Sequence, residues 1–110
     1  MFDTHRGEEI VSISSNSLPF TQTLIAAAPE APGVFALWQG GGIVYYGRAA
    51  TIRIALDEQL RARAMSARQV SGCSWEVAPD PEQRQSELLR EYRTAHHALP
   101  LWNDPQRLPT

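Results

Sequence analysis

Hydrophobic positions change their period several times along the chain, and each change predicts an element. From Val34 to Trp38 they are nearly continuous, which fits a strand covered on both faces. Ile43 to Tyr46 forms a second apolar run after Gln39-Gly40-Gly41-Gly42. Together they predict a tight β-hairpin entered through Pro32-Gly33. The spacing then lengthens to four. Ile52, Leu56, Leu60 and Ala64, with Ala55 alongside, predict a helix over about Thr51 to Met65. Alternation returns at Cys73, Trp75 and Val77, for a strand from Gly72 to Ala78. Asp80-Pro81 opens a second long helix, since proline suits the first helical position. It runs to about His97, with Leu88, Tyr92, Ala95 and Leu99 toward the core, and Pro100 ends it. Leu101-Trp102-Asn103 is expected to pack as a short tail against the sheet, and Asp104 to Thr110 to fray. Upstream, Glu8 to Ser14 predicts a short strand, Ser15 to Pro19 a turn, and Phe20 to Ala28 a short helix stopped by Pro29.

Hairpin, helix, strand, helix is the order of a small α/β (α+β) domain: a central, mainly antiparallel sheet of three or so strands flanked by helices. Residues 1–30 form an N-terminal extension and 31–110 the domain proper. A length of 110 residues accommodates one core.

Composition narrows the function classes. The hydrophobic fraction of 43% and charged fraction of 20% are ordinary for a globular protein. No apolar run approaches the ~20 residues that span a bilayer. The first ten residues carry Asp3, Glu8 and Glu9 rather than a basic segment leading into an apolar one, so no secretory signal is expected. Cys73 is the sole cysteine, which excludes an internal disulfide and a cysteine zinc cluster. A cytoplasmic protein is the expectation. Net charge is -2, without the basic excess usual in nucleic-acid binders. Locally, however, Arg48, Arg53, Arg61, Arg63 and Arg68 stand against Asp57 and Glu58, and the chain contains no lysine. Arginine suits bidentate phosphate contacts.

The candidate chemistry lies at the ends of these elements. Tyr45 and Tyr46, adjacent on a strand, must point to opposite faces, one into the core and one toward a surface or cleft. Arg48 follows Gly47 at the strand-to-helix junction, where the glycine lets a phosphate approach the backbone. Glu87 and Glu91, four apart on the second long helix, share a face where a cation would relieve their repulsion. Arg84, Arg90 and Arg93 are interspersed, so the spacing alone favours a solvated charged face over a cation site. His96 and His97 point about 100° apart and do not share a metal. Gly40-Gly41-Gly42 lacks the lysine and spacing of a phosphate loop.

Taken together, these residues resemble the GIY-YIG nuclease domain, as in the bacterial excision-repair nuclease that cuts 3′ of damage and in some homing and restriction endonucleases. Gly33-Val34-Phe35 matches the first triplet and Tyr45-Tyr46-Gly47 the second, at the family's common separation. Arg48 falls where a basic residue usually follows. Leu88-Leu89-Arg90-Glu91 resembles the turn into the family's glutamate, and Pro100-Leu101-Trp102-Asn103 its Pro-x-aromatic-Asn tail, with Asn103 twelve residues after Glu91. The match covers roughly residues 31 to 104.

The resemblance implies a metal-dependent DNA endonuclease. Glu91 would hold a single Mg²⁺ or Mn²⁺, hard cations that prefer oxygen ligands. Tyr45 would act as base or water orienter, Arg48 as phosphate clamp, and Asn103 as a support. DNA is the implied partner, with a protein partner supplying targeting. Two positions depart from the family pattern. Phe35 stands where the first triplet usually ends in tyrosine, and Ala55 where the helix arginine is expected. Arg53 lies two residues earlier, about 200° around the helix. Losing one preorganised charge stabiliser costs about 10²–10³ in rate. The alternative is therefore a catalytically degenerate module of this fold that binds nucleic acid or a protein partner.

Overall fold

The computed structural model describes residues 13–14, 16–64 and 69–104. Four strands, β1 (Leu18–Pro19), β2 (Gly33–Gln39), β3 (Gly42–Ala49) and β4 (Gly72–Val77), form one sheet in the order β1-β4-β2-β3, every pair antiparallel. Three helices, α1 (Gln22–Ile25), α2 (Ile52–Ala64) and α3 (Pro81–His96), flank it, and a 3₁₀ turn at Leu101–Asn103 closes the described chain. The domain is thus of the expected α+β class, its fourth strand falling at Leu18–Pro19.

Both arms of the hairpin run longer than their apolar cores, because backbone pairing continues through Gly33 and Ala49. Gly40 takes the left-handed conformation (φ 63°) that turns the chain between them. β2 is central, and all its residues from Gly33 to Trp38 are buried, as a strand covered on both faces must be. Its alternation sorts two cores. Phe35 and Leu37 face α1, α2 and Trp102, packing with Ile25, Ala28, Ile52 and Leu56. Val34, Ala36 and Trp38 face α3, packing with Ile13, Ile43, Tyr46 and Leu88. Trp38 Nε1 donates to Ser74 Oγ (3.0 Å), which donates to the carbonyl of Ile13 (2.6 Å), so the buried hydroxyl is satisfied.

Two expectations are corrected. The predicted helix from Phe20 to Ala28 is the single turn Gln22–Ile25. Thr21 caps it by accepting from the Leu24 N–H (3.2 Å), and Ala27 and Ala28 then bond back only three residues, to Leu24 and Ile25, tightening the chain toward Pro29. Within the segment expected to turn, Leu18 and Pro19 instead pair with Cys73 and Gly72 as β1. The strand predicted from Glu8 to Ser14 lies outside the described residues except for Ile13 and Ser14, which are in a turn.

α3 begins as its sequence requires. Asp80 accepts from the Gln83 N–H (3.1 Å) and Pro81 follows. It ends at His97, left-handed at φ 62°. Leu88 is buried and Tyr92 half-buried, but Ala95, expected in the core, is exposed, since the helix has by then run past the sheet. Among the described residues no helix is long and apolar enough to cross a membrane.

Candidate functional site

The two tyrosines diverge as strand alternation demands, and a bulge decides which goes where. Leu37 pairs with Tyr45 but Trp38 with Ile43, so Val44 is an extra residue on β3. Tyr45 consequently lies half-buried on the α2 side, its ring 5.9 Å from that of Phe35. Tyr46 is 2% exposed on the α3 side, its ring edge-on to Tyr92 at 6.4 Å.

Glu91 belongs to the Tyr46 face. It lines a groove of about 330 Å³ between α3 and the hairpin, together with Trp38, Ile43, Tyr46, Tyr92 and His96. The sheet therefore separates Tyr45 from Glu91. Arg48 is on the Glu91 side but at the other end of α3. Its guanidinium is 3.5 Å from Glu82, a surface pair with both side chains more than half exposed and worth at most about 1 kcal/mol. Nine residues of helix from Glu82 to Glu91 amount to ~13 Å. Asp80 and Glu82 share the shallow surface around Arg48 and oppose a phosphate there.

Asn103 comes to the middle of this arrangement but is occupied by the backbone. β3 is an outer strand, so the Tyr46 N–H and C=O have no neighbouring strand to bond. The Asn103 side chain takes that place. Its Oδ1 accepts from the Tyr46 N–H (2.8 Å), and its Nδ2 donates to the Tyr46 carbonyl (3.0 Å), which also accepts from Gln85 Nε2 (2.9 Å). Of the four residues singled out in the sequence, the structure brings Asn103 to the Tyr46 backbone and Glu91 to the groove that Tyr46 lines, while Tyr45 and Arg48 lie apart from both. Arg53, the nearest arginine to the expected helix position, is committed elsewhere: Nε donates to the Ala28 carbonyl and Nη1 to Glu30, both at 2.9 Å.

The residue that spacing alone does not reveal is Arg84. Its guanidinium binds Glu76 of β4 through two nitrogens (2.6 and 3.3 Å), Glu87 at 3.1 Å, and stands 3.8 Å from Glu91. The charges interspersed along α3 flagged it, but its β4 partner is a tertiary contact. The resemblance gives Glu91 a divalent ion. Its carboxylate has a resident guanidinium beside it. Among the described residues, no three His, Cys, Asp or Glu side chains converge closely enough to hold a metal ion.

The groove holds the Tyr46 phenol in its neutral form. Burial first, then the nearby Glu91 carboxylate, pushes the Tyr46 phenol up to about 12. It is therefore protonated at neutral pH and can donate or orient, but does not serve as a base. On the far side of the sheet, burial pushes the Cys73 thiol up to about 11, which makes it inert. For Tyr46 the folded value exceeds the unfolded one of about 10. Its contribution to stability is accordingly full below pH 10, and about 2–3 kcal/mol is lost as pH rises through 12. Ultraviolet titration should show a tyrosine ionising late, and Tyr46→Phe should remove that step. A late step that survives Tyr46→Phe would show that the assignment is wrong.

No protein-family model, curated protein or solved structure matches this chain.

Proposed function

We propose that this chain is a catalytically degenerate module of the GIY-YIG type that binds nucleic acid without cutting it. The reading is carried by one observation: Tyr45 and Glu91, which would have to act on the same phosphodiester, lie on opposite faces of the sheet. Phe35 and Ala55 at the expected tyrosine and arginine positions point the same way.

Nucleic acid is favoured over a protein partner by the exposed C-terminal half of α3. Arg48, Arg53, Arg61 and Arg84 are each paired with a carboxylate. Arg90 and Arg93 make no ion pair with any described residue and are exposed beside His96 and His97. His96 stacks on Tyr92, ring centroids 3.9 Å apart, at the edge of the groove. Cations beside a ring stack whose outer member, His96, is exposed are the chemistry of phosphate contact and base stacking on a single strand.

The full chain should bind single-stranded DNA weakly, with an affinity that falls steeply with salt. Arg90→Ala with Arg93→Ala should weaken binding alike for all sequences and lower the salt slope by roughly 1.4. Plasmid, flap and branched DNA should stay intact in Mg²⁺ or Mn²⁺. Cleavage abolished by Glu91→Ala would replace this reading with the endonuclease one. Salt-independent binding, or none, would turn it toward a protein partner.

A further inference from the structure

We infer that Arg84 is the resident cation shared by the Glu76, Glu87 and Glu91 carboxylates, so that this face of the domain works without a divalent ion. The inference rests on the non-cleaving reading above and adds to it how the acidic face is neutralised.

The geometry is that of a built-in counter-ion. Arg84 Nε and Nη2 grip both oxygens of Glu76 in a fork, while Nη1 turns to Glu87 and toward Glu91. The Arg84 side chain is 28% exposed, whereas Glu91 is 66% exposed, so the cation is held inward and the carboxylates fan out around it. Because Glu76 is on β4 and the other two are on α3, the guanidinium also clips the helix to the sheet. The Glu76 hydrogen bonds, foremost, raise the guanidinium's already high pKa further. It therefore stays charged wherever the protein is folded. A hydrated divalent ion on Glu91 would face this fixed positive charge at close range and would find only one carboxylate not directly hydrogen-bonded to it. Mg²⁺ and Mn²⁺ tolerate few protein ligands, but not a cation in the coordination shell.

The test is Mn²⁺ titration of the full chain, with free ion read by electron paramagnetic resonance and melting temperature read alongside. Wild type should show no saturable binding in the low millimolar range and no metal-dependent rise in Tm. Arg84→Gln keeps a hydrogen-bond donor and removes the charge. It should melt lower without metal and gain Mn²⁺ affinity by at least about tenfold, with part of the lost Tm recovered. Adding Glu91→Gln should abolish that gain. If Arg84→Gln does not fold, Arg84→Lys, which keeps the charge, should fold and still exclude Mn²⁺. Stoichiometric Mn²⁺ binding by wild type, lost in Glu91→Gln, would overturn the inference, as would a folded Arg84→Gln with unchanged affinity or a Mn²⁺-binding Arg84→Lys. Mn²⁺ binding without DNA cleavage would sink only this inference, while cleavage would sink the reading beneath it.

Discussion

Gly33→Ala is expected to destabilise the domain by about 3 kcal/mol, the upper end of what overpacking costs. An added Cβ would run into the carbonyl oxygen of Glu76 and meet the Val77 Cα at 3.0 Å and the Ile52 Cδ1 at 2.6 Å. The first two obstacles are backbone of the paired strand β4, which cannot rotate away as a side chain can. Relief requires β2 and β4 to part at Gly33↔Val77, the end of their ladder. In a domain of ordinary marginal stability this is a large fraction of the total. It corresponds to a fall of roughly 10–20 °C in Tm. Gly47→Ala is the informative comparison, because its Cβ would meet the rings of Phe35 and Tyr45 rather than backbone. Urea unfolding should show a lower midpoint at unchanged slope, larger for Gly33→Ala than for Gly47→Ala. A Gly33→Ala protein as stable as wild type would mean that β2 and β4 are not paired in this register. The result also bears on function: sheet packing accounts for the first triplet's glycine without any ligand.

Much of the architecture was legible because it follows from local periods. The continuous run Val34–Trp38 announced a doubly covered strand, the four-residue spacing from Ile52 announced α2, and Asp80-Pro81 announced the start of α3. β1 was not legible, since two residues, one a proline, carry no period, and its pairing depends on Cys73 and Gly72 far along the chain. Three alanines after Ile25 favour helix by propensity, yet the chain tightens there to reach Pro29. The site was legible in part. Alternation told that Tyr45 and Tyr46 part company, but the extra residue Val44 sets their faces, and a bulge leaves no mark in residue spacing. Asn103 was flagged only by the resemblance of Pro100-Leu101-Trp102-Asn103 to the family's tail. That its amide completes the outer edge of β3 is a tertiary fact. Arg84 looked like one charge among several on a helix, because the carboxylate it grips most tightly, Glu76, comes from another element.

The adjacent tyrosines should then respond very differently to truncation. Tyr46→Ala removes a ring that is 2% exposed and wedged between β2, Leu88 and Tyr92, and should cost about 3–5 kcal/mol. Tyr45→Ala removes a half-buried ring whose main neighbour is Phe35, and should cost about 1–2 kcal/mol, in proportion to the smaller area withdrawn from water. A catalytic hydroxyl on Tyr45 would keep that ordering for stability but add a loss of turnover in Tyr45→Phe, which leaves the ring in place. In a non-cleaving module, Tyr45→Phe should leave both stability and DNA affinity within error of wild type. Tyr46→Phe keeps the ring and gives up only the hydroxyl's bond to Ser14, so it should fold and retain the Tyr92–His96 stack beside the groove. Denaturant midpoints and salt-dependent DNA titrations on these four proteins separate packing from chemistry. Equal losses of stability at Tyr45 and Tyr46 would show that the bulge at Val44 does not sort the two side chains, and with it would fall the division of Tyr45 from Glu91 on which the non-cleaving reading rests.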